Sequence, residues 1–156
     1  MRVRLLALGT RMPDWVEAGV SEYQRRLTQD IRLDIEELPL PKRGPGSDTR
    51  SLVRQEAAAL EKRLAKYPGC RTVALEVTGR RLTTHQLSNE LGRLRDQGQD
   101  LNVLVGGPDG LCSELSARFP QWSLSDLTLP HPLVRILLAE QVYRAWSLLV
   151  GHPYHR

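Results

Sequence analysis

Trp122-Ser123-Leu124-Ser125-Asp126-Leu127-Thr128-Leu129-Pro130-His131-Pro132 is the stretch on which the reading of this chain turns. Trp122 to Ser125 reads as a short strand. Thr128 to Pro132 is stiff, because each proline fixes its own φ and restricts the residue before it. Pro132 sits where a helix tolerates a missing N–H, so the spacing predicts a helix from Pro132 to Val150. A segment of this kind holds backbone N–H and C=O groups in a fixed array suited to reading an adenine edge. It serves equally as a plain lead-in to the helix, with His131 a structural histidine. After the helix come His152-Pro153-Tyr154-His155-Arg156. Terminal residues usually fray, yet these side chains can take a proton, stack on a base or hold a phosphate. A polar tail of residual order explains them as well.

The helix between these segments is two-sided. At 100° per residue, Val134, Leu138, Ala139, Val142, Ala145, Trp146, Leu149 and Val150 fall on one broad face around Arg135. Glu140, Gln141, Arg144 and Ser147 cluster opposite, with Leu133, Leu137 and Leu148 among them. One face is suited to the core and the other to a second copy of the chain. Arg135 lies on the apolar side, where an unpaired charge is costly. It therefore needs a carboxylate, the chain's own backbone or a bound ligand.

Upstream, strands alternate with helices. Strand patterns occupy Arg2 to Gly9, Ile31 to Leu38, Arg71 to Val77 and Leu101 to Val105. Helical patterns run from Pro13-Asp14 to about Leu27, from Thr49 to Lys66, from Thr83-Thr84 to near Gly98, and briefly up to Phe119. The loop 39–48 is dense in Pro and Gly and carries Lys42 and Arg43. This alternation predicts one α/β domain over residues 1–156, a mostly parallel sheet flanked by helices. Gly106-Gly107-Pro108-Asp109-Gly110 follows the fully apolar fourth strand, at the strand end where open α/β sheets bind ligands. It matches neither a dinucleotide fingerprint nor a phosphate-cradling loop, and a tight turn without function is an equal reading.

Composition narrows the classes. The chain is 40% hydrophobic and 26% charged, ordinary for a soluble domain. No apolar run reaches the roughly 20 residues of a membrane span, and the apolar start is too short for a signal peptide. Cys70 and Cys112 have no metal-like spacing, so a reduced cytoplasmic setting and no metal are expected. No Gly-x-Ser-x-Gly marks a hydrolase nucleophile. The net charge of +4 is uneven: residues 1–81 carry +5 and residues 82–156 carry −1. A basic front half suits a polyanion, or merely a solvated surface.

Several segments together carry a resemblance. They are Val3 to Gly9 with Thr10 to Trp15, Glu22 to Arg26, Lys42-Arg43-Gly44, Gly106 to Gly110, Trp122 to Ser125, Leu127 to Arg135, Glu140, Tyr143 to Trp146, and His152 to Arg156. In order and spacing, over the whole chain, they resemble the bacterial large-subunit rRNA pseudouridine N3-methyltransferases, the minimal members of the SPOUT (α/β-knot) class. The resemblance implies a C-terminal trefoil knot, a homodimer, and S-adenosyl-L-methionine as methyl donor without a metal. The donor would lie against Leu75, Gly107, Ser125, Asp126, Leu127, Thr128, Leu129 and Pro130. The implied substrate is a pseudouridine in a 23S rRNA stem-loop on the assembled 70S ribosome. His155 or His152 would take the N3 proton, Arg156 or Arg135 would balance the negative charge, and Tyr154 would hold the base. Arg11, Arg25, Arg26, Lys42 and Arg43 would position RNA by its phosphates. A dimeric RNA-binding factor without catalysis is the alternative reading.

Overall fold

A computed structural model describes residues 1–28 and 30–155, at 155 the backbone alone. The elements follow the alternation in the sequence: β1 (Arg2–Leu8), α1 (Asp14–Gln24), β2 (Arg32–Leu38), α2 (Thr49–Leu64), β3 (Arg71–Arg81), α3 (Thr84–Asp96), β4 (Leu101–Val105), α4 (Ser113–Ser116), β5 (Gln121–Ser123) and α5 (His131–Leu149), then a single 3-10 turn, Pro153–His155. One five-stranded sheet has the order β2-β1-β4-β3-β5. Every strand pairing is parallel.

Parallel strands need helical crossovers, which cover both faces and leave the strands apolar on both sides. The alternation of side chains along β1 sorts them accordingly. Val3, Leu5 and Ala7 join the core beneath α1, α3 and α5. Leu6 and Leu8 join a second cluster beneath α2 and α4. The helix starts are fixed by local chemistry: Asp48 accepts hydrogen bonds from the Arg50 and Ser51 N–H groups at the start of α2, and Thr83 and Gln86 form a reciprocal capping box at the start of α3. α5 packs between α1 and α3, and its contact with α1 is close because Gly19 has no side chain: a methyl there would lie 2.9 Å from Ile136 Cδ1. No helix among the described residues is long and apolar enough to cross a membrane.

The sequence pattern and the structure part company at β3. Thr78-Gly79 reads as the end of that strand, yet β3 continues to Arg81. The continuation is irregular. Leu75 and Arg80 both pair with Trp122, so residues 76–79 bulge out of register. A threonine and a glycine here mark a break in the ladder rather than its end. Gly79 lies against the β5 backbone, where a methyl would come 2.8 Å from the Gln121 carbonyl carbon.

Candidate functional site

The bulge in β3 and the carboxyl end of β4 open onto a cavity of about 580 Å³, within the size range of small-molecule sites. Three segments build it. The β3 bulge supplies Leu75, Glu76 and Val77, the glycine loop supplies Gly106, Gly107 and Gly110, and the run from Trp122 to His131 closes the remaining side. That run starts at the β5 edge of the sheet, and at its far end the His131 ring lies beside Gly9, just past β1. It therefore passes over the β3 bulge and the end of β4, roofing the cavity with backbone.

The glycine loop is shaped by closure on itself. The Gly110 N–H donates to the Gly107 carbonyl at 3.0 Å, and the two residues form an isolated antiparallel bridge. A methyl on Gly106 would lie 2.7 Å from Leu111 N, so only glycine fits. Within the roof, the Ser125 hydroxyl accepts from the Leu127 N–H at 3.0 Å, and the Ser123 hydroxyl donates to the Ser125 carbonyl at 2.9 Å. The lining is mainly apolar, and Glu76 contributes its one carboxylate among the described residues.

Of the residues expected to hold a donor, Leu75, Gly107, Ser125, Leu127, Thr128, Leu129 and Pro130 line this cavity. Asp126 does not: its carboxylate accepts from Arg81 at 2.7 Å on the outside of the roof. Val77, Gly106, Trp122, Leu124, His131 and Val134 line the cavity too, beyond the donor contacts that the resemblance implies. Gly106 and the roof residues lay inside motifs already noted. Val77 carried no signal, because its place depends on the β3 bulge. His131 sits partly buried at the cavity's edge, its Nδ1 without a hydrogen-bond partner among the described residues. Burial, and secondarily the charge of Arg135, hold its pKa below the ordinary value.

Arg135 is 1% exposed and does not line this cavity. Its guanidinium meets both a carboxylate and backbone: it pairs with Glu37 and donates to the Gly9 carbonyl at 2.7 Å. This ties α5 to a turn in which Gly9 and Arg11 both have positive φ, +101° and +59°. Arg135 also borders a second, smaller hollow between α1 and β2.

The tail docks elsewhere. The Tyr154 ring lies 4.6 Å from that of Tyr143, its hydroxyl donates to Glu140 at 3.3 Å, and the Arg144 guanidinium lies 4.8 Å from its ring centre. Burial first, then hydrogen bonding with Tyr23 and the charge of Glu140, push the Tyr154 phenol up to about 12. His152 lies near the rings of Trp146 and Tyr143, and its Nδ1 accepts from the Tyr154 N–H at 3.3 Å. Arg156 and the side chain of His155 lie outside the described residues.

Among the basic candidates, Arg11 and Lys42 are exposed. Arg25 and Arg26 share Glu22, and Arg26 also lies over the rings of Tyr23, Tyr143 and Tyr154. Arg43 pairs with Glu56 and Asp109.

The family model described as "Predicted SPOUT methyltransferase" matches residues 1–155, and the chain belongs to that family. Along its full length it is 64% identical to the ribosomal RNA large subunit methyltransferase H of Alcanivorax borkumensis and 54% identical to the protein of the same name from Pseudomonas aeruginosa, each covered completely. Its fold is shared with a structure solved for 2-OH methylation on tRNA, at TM-score 0.53 and 21% identity over 96% of this chain and 97% of that one. It is shared also with TrmJ from Z. mobilis, at TM-score 0.51 and 15% identity over 94% of this chain and 70% of that one.

Proposed function

We propose that this methyltransferase acts on large-subunit ribosomal RNA, at N3 of a pseudouridine in a 23S rRNA stem-loop on the assembled 70S ribosome. In this reading it works in the cytoplasm as a homodimer with a threaded C-terminal half, and S-adenosyl-L-methionine is its donor. The observation that carries the reading is the cavity at the β3 bulge and the end of β4, in a chain whose full-length relatives bear an rRNA methyltransferase name. Its fit to the donor rests on three features. The size suits a nucleoside with an amino-acid arm, the apolar walls Leu75, Val105 and Leu129 suit an adenine face, and Glu76 offers a carboxylate to a positively charged group.

The donor, when bound, supplies an activated methyl group. The chain's own task is to orient the target base in line and to remove the N3 proton. For that proton we assign His155, with His152 as the other candidate. Arg156 balances the charge left on the base, and Tyr154 holds the ring. Arg135, paired with Glu37 and Gly9, acts on the β1–α1 turn instead of on the base. Arg11 and Lys42 meet phosphates, joined by Arg25 and Arg26 just past the end of α1.

The support for two copies is distance within one chain. His131 borders the cavity and Tyr143 holds Tyr154, and twelve residues of α5 separate them. At the helical rise this is roughly 18 Å. The described part of the tail is held on α5 by Glu140 and Tyr143, short of its own cavity, which favours a tail that serves the cavity of a partner. Leu124, Leu127, Leu133 and Leu137, exposed on the roof and on α5, supply an apolar surface for that partner.

The test is transfer of labelled methyl from S-adenosyl-L-methionine to 70S ribosomes, separated subunits and naked 23S rRNA. Incorporation at one pseudouridine of 70S ribosomes is expected. Donor binding with incorporation only at another atom or RNA overturns the substrate assignment. Ribosome binding without donor binding would instead make the chain an RNA-binding factor.

A further inference from the structure

The mechanism leaves one buried carboxylate unused. Glu56, on α2, is 2% exposed. Its Oε1 accepts from Arg43 Nη2 at 2.8 Å, while Oε2 has no hydrogen-bond partner among the described residues. The other terminal nitrogen of Arg43 pairs with Asp109 in the glycine loop. Oε2 also faces that loop: a methyl on Gly107 would lie 3.2 Å from it and 3.0 Å from Leu40 Cδ2. One guanidinium thus joins three segments, namely the loop 39–48, α2 and the glycine loop that forms a cavity wall.

We propose that Glu56 and Arg43 are positioning residues, and that the Glu56–Arg43–Asp109 triad clamps the glycine loop and thereby sets donor affinity without touching the donor. This rests on the donor occupying the cavity beside Gly107. A buried carboxylate is tolerable only with its counter-charge. Without Arg43, the Glu56 carboxylate is driven toward water, and Leu40 and Gly107 stand against it. The two arms are unequal. The Glu56 arm is buried, whereas Asp109 is one-third exposed and its pairing is screened by solvent. Arg43 reads from sequence as a phosphate ligand, but both ends of its fork are already engaged within the chain.

The test titrates the full-length protein with S-adenosyl-L-methionine alone, without RNA, by calorimetry. Arg43→Ala is expected to weaken binding about tenfold, the scale of one hydrogen bond to a charged group. The double variant Arg43→Ala/Glu56→Gln should recover most of that loss, because a neutral amide needs no counter-charge. Arg43→Lys, which keeps the charge but not the fork, should fall between wild type and Arg43→Ala, and it carries the test if Arg43→Ala does not fold. Asp109→Asn should show the smallest loss. Hydrogen exchange at residues 106–110, measured without donor, should speed up in Arg43→Ala and slow again in the double variant. A folded Arg43→Ala with wild-type donor affinity, or with unchanged exchange at 106–110, overturns the clamp. Wild-type protein that takes up no donor refutes the donor cavity instead, and the exchange measurement then decides the clamp by itself.

Discussion

The two ends of α5 stand in contrast. At its start, the cavity is made of backbone: glycines closed on themselves, a proline-stiffened roof, and mainly apolar walls that include the Glu76 carboxylate. At its end, the tail cluster is made of side chains, with Tyr154 among Tyr143, Glu140, Arg144 and Arg26. Main chain placed by a sheet is rigid and carries fixed dipoles, which suits it to holding a ligand. Proton transfer and charge balance need titratable groups; the cavity itself offers Glu76 and His131, and the tail cluster stands roughly 18 Å from His131 along the helix. In the proposed reading the difference separates holding from reacting, and the tail of a second copy is what brings the two together.

The largest effect should come from the reactive end. His155→Ala is expected to lower turnover by about 100-fold or more, the usual contribution of a general base, while donor affinity measured by calorimetry stays near wild type. Loss of donor binding in this variant would break the contrast, because the tail would then belong to the donor site. Next is the holding end. Gly106→Val forces the closed loop open against Leu111 and Gly110, so donor affinity should fall at least about tenfold, the scale of a lost contact worth 1.4 kcal/mol, with RNA binding retained in a filter assay.

The contrast also explains what could be read from sequence. Leu101–Val105 coincides with β4, and the proline-delimited last helix is displaced by one residue at each end, because uninterrupted apolar runs and proline constraints are local signals. The glycine loop and the roof were legible for the same reason: glycine and proline shape backbone wherever they occur. Val77 was not, since it reaches the cavity only through a register break created by pairing with β5. Neither was Glu56, an unremarkable acid on a polar helix until the fold sets Arg43 beside it. Asp126 looked like part of the roof lining, and a distant strand residue, Arg81, draws it outward.

Smaller effects sharpen the boundary between the two ends. Arg11→Ala and Lys42→Ala should each weaken ribosome binding and lower its salt slope by about 1, with no change in donor affinity. A pH effect should be the smallest. His131 has a folded pKa below its ordinary 6.5, so it favours the fold while neutral. That contribution is complete above pH 6.5 and is lost as pH falls through the folded value. Tm should therefore drop more steeply below pH 6.5 in wild type than in His131→Asn, as read by scanning calorimetry.

The central claim, a donor held by one subunit and completed by the tail of another, is tested most directly by mixing two impaired variants, Gly106→Val and His155→Ala, and assaying methyl transfer to 70S ribosomes at a donor concentration well below the Kd of Gly106→Val. Up to one intact site forms in each mixed dimer, so the mixture should recover activity toward half that of wild type per mixed dimer, well above either variant alone. A mixture no more active than its components, with subunit exchange verified by mass, would contradict the account.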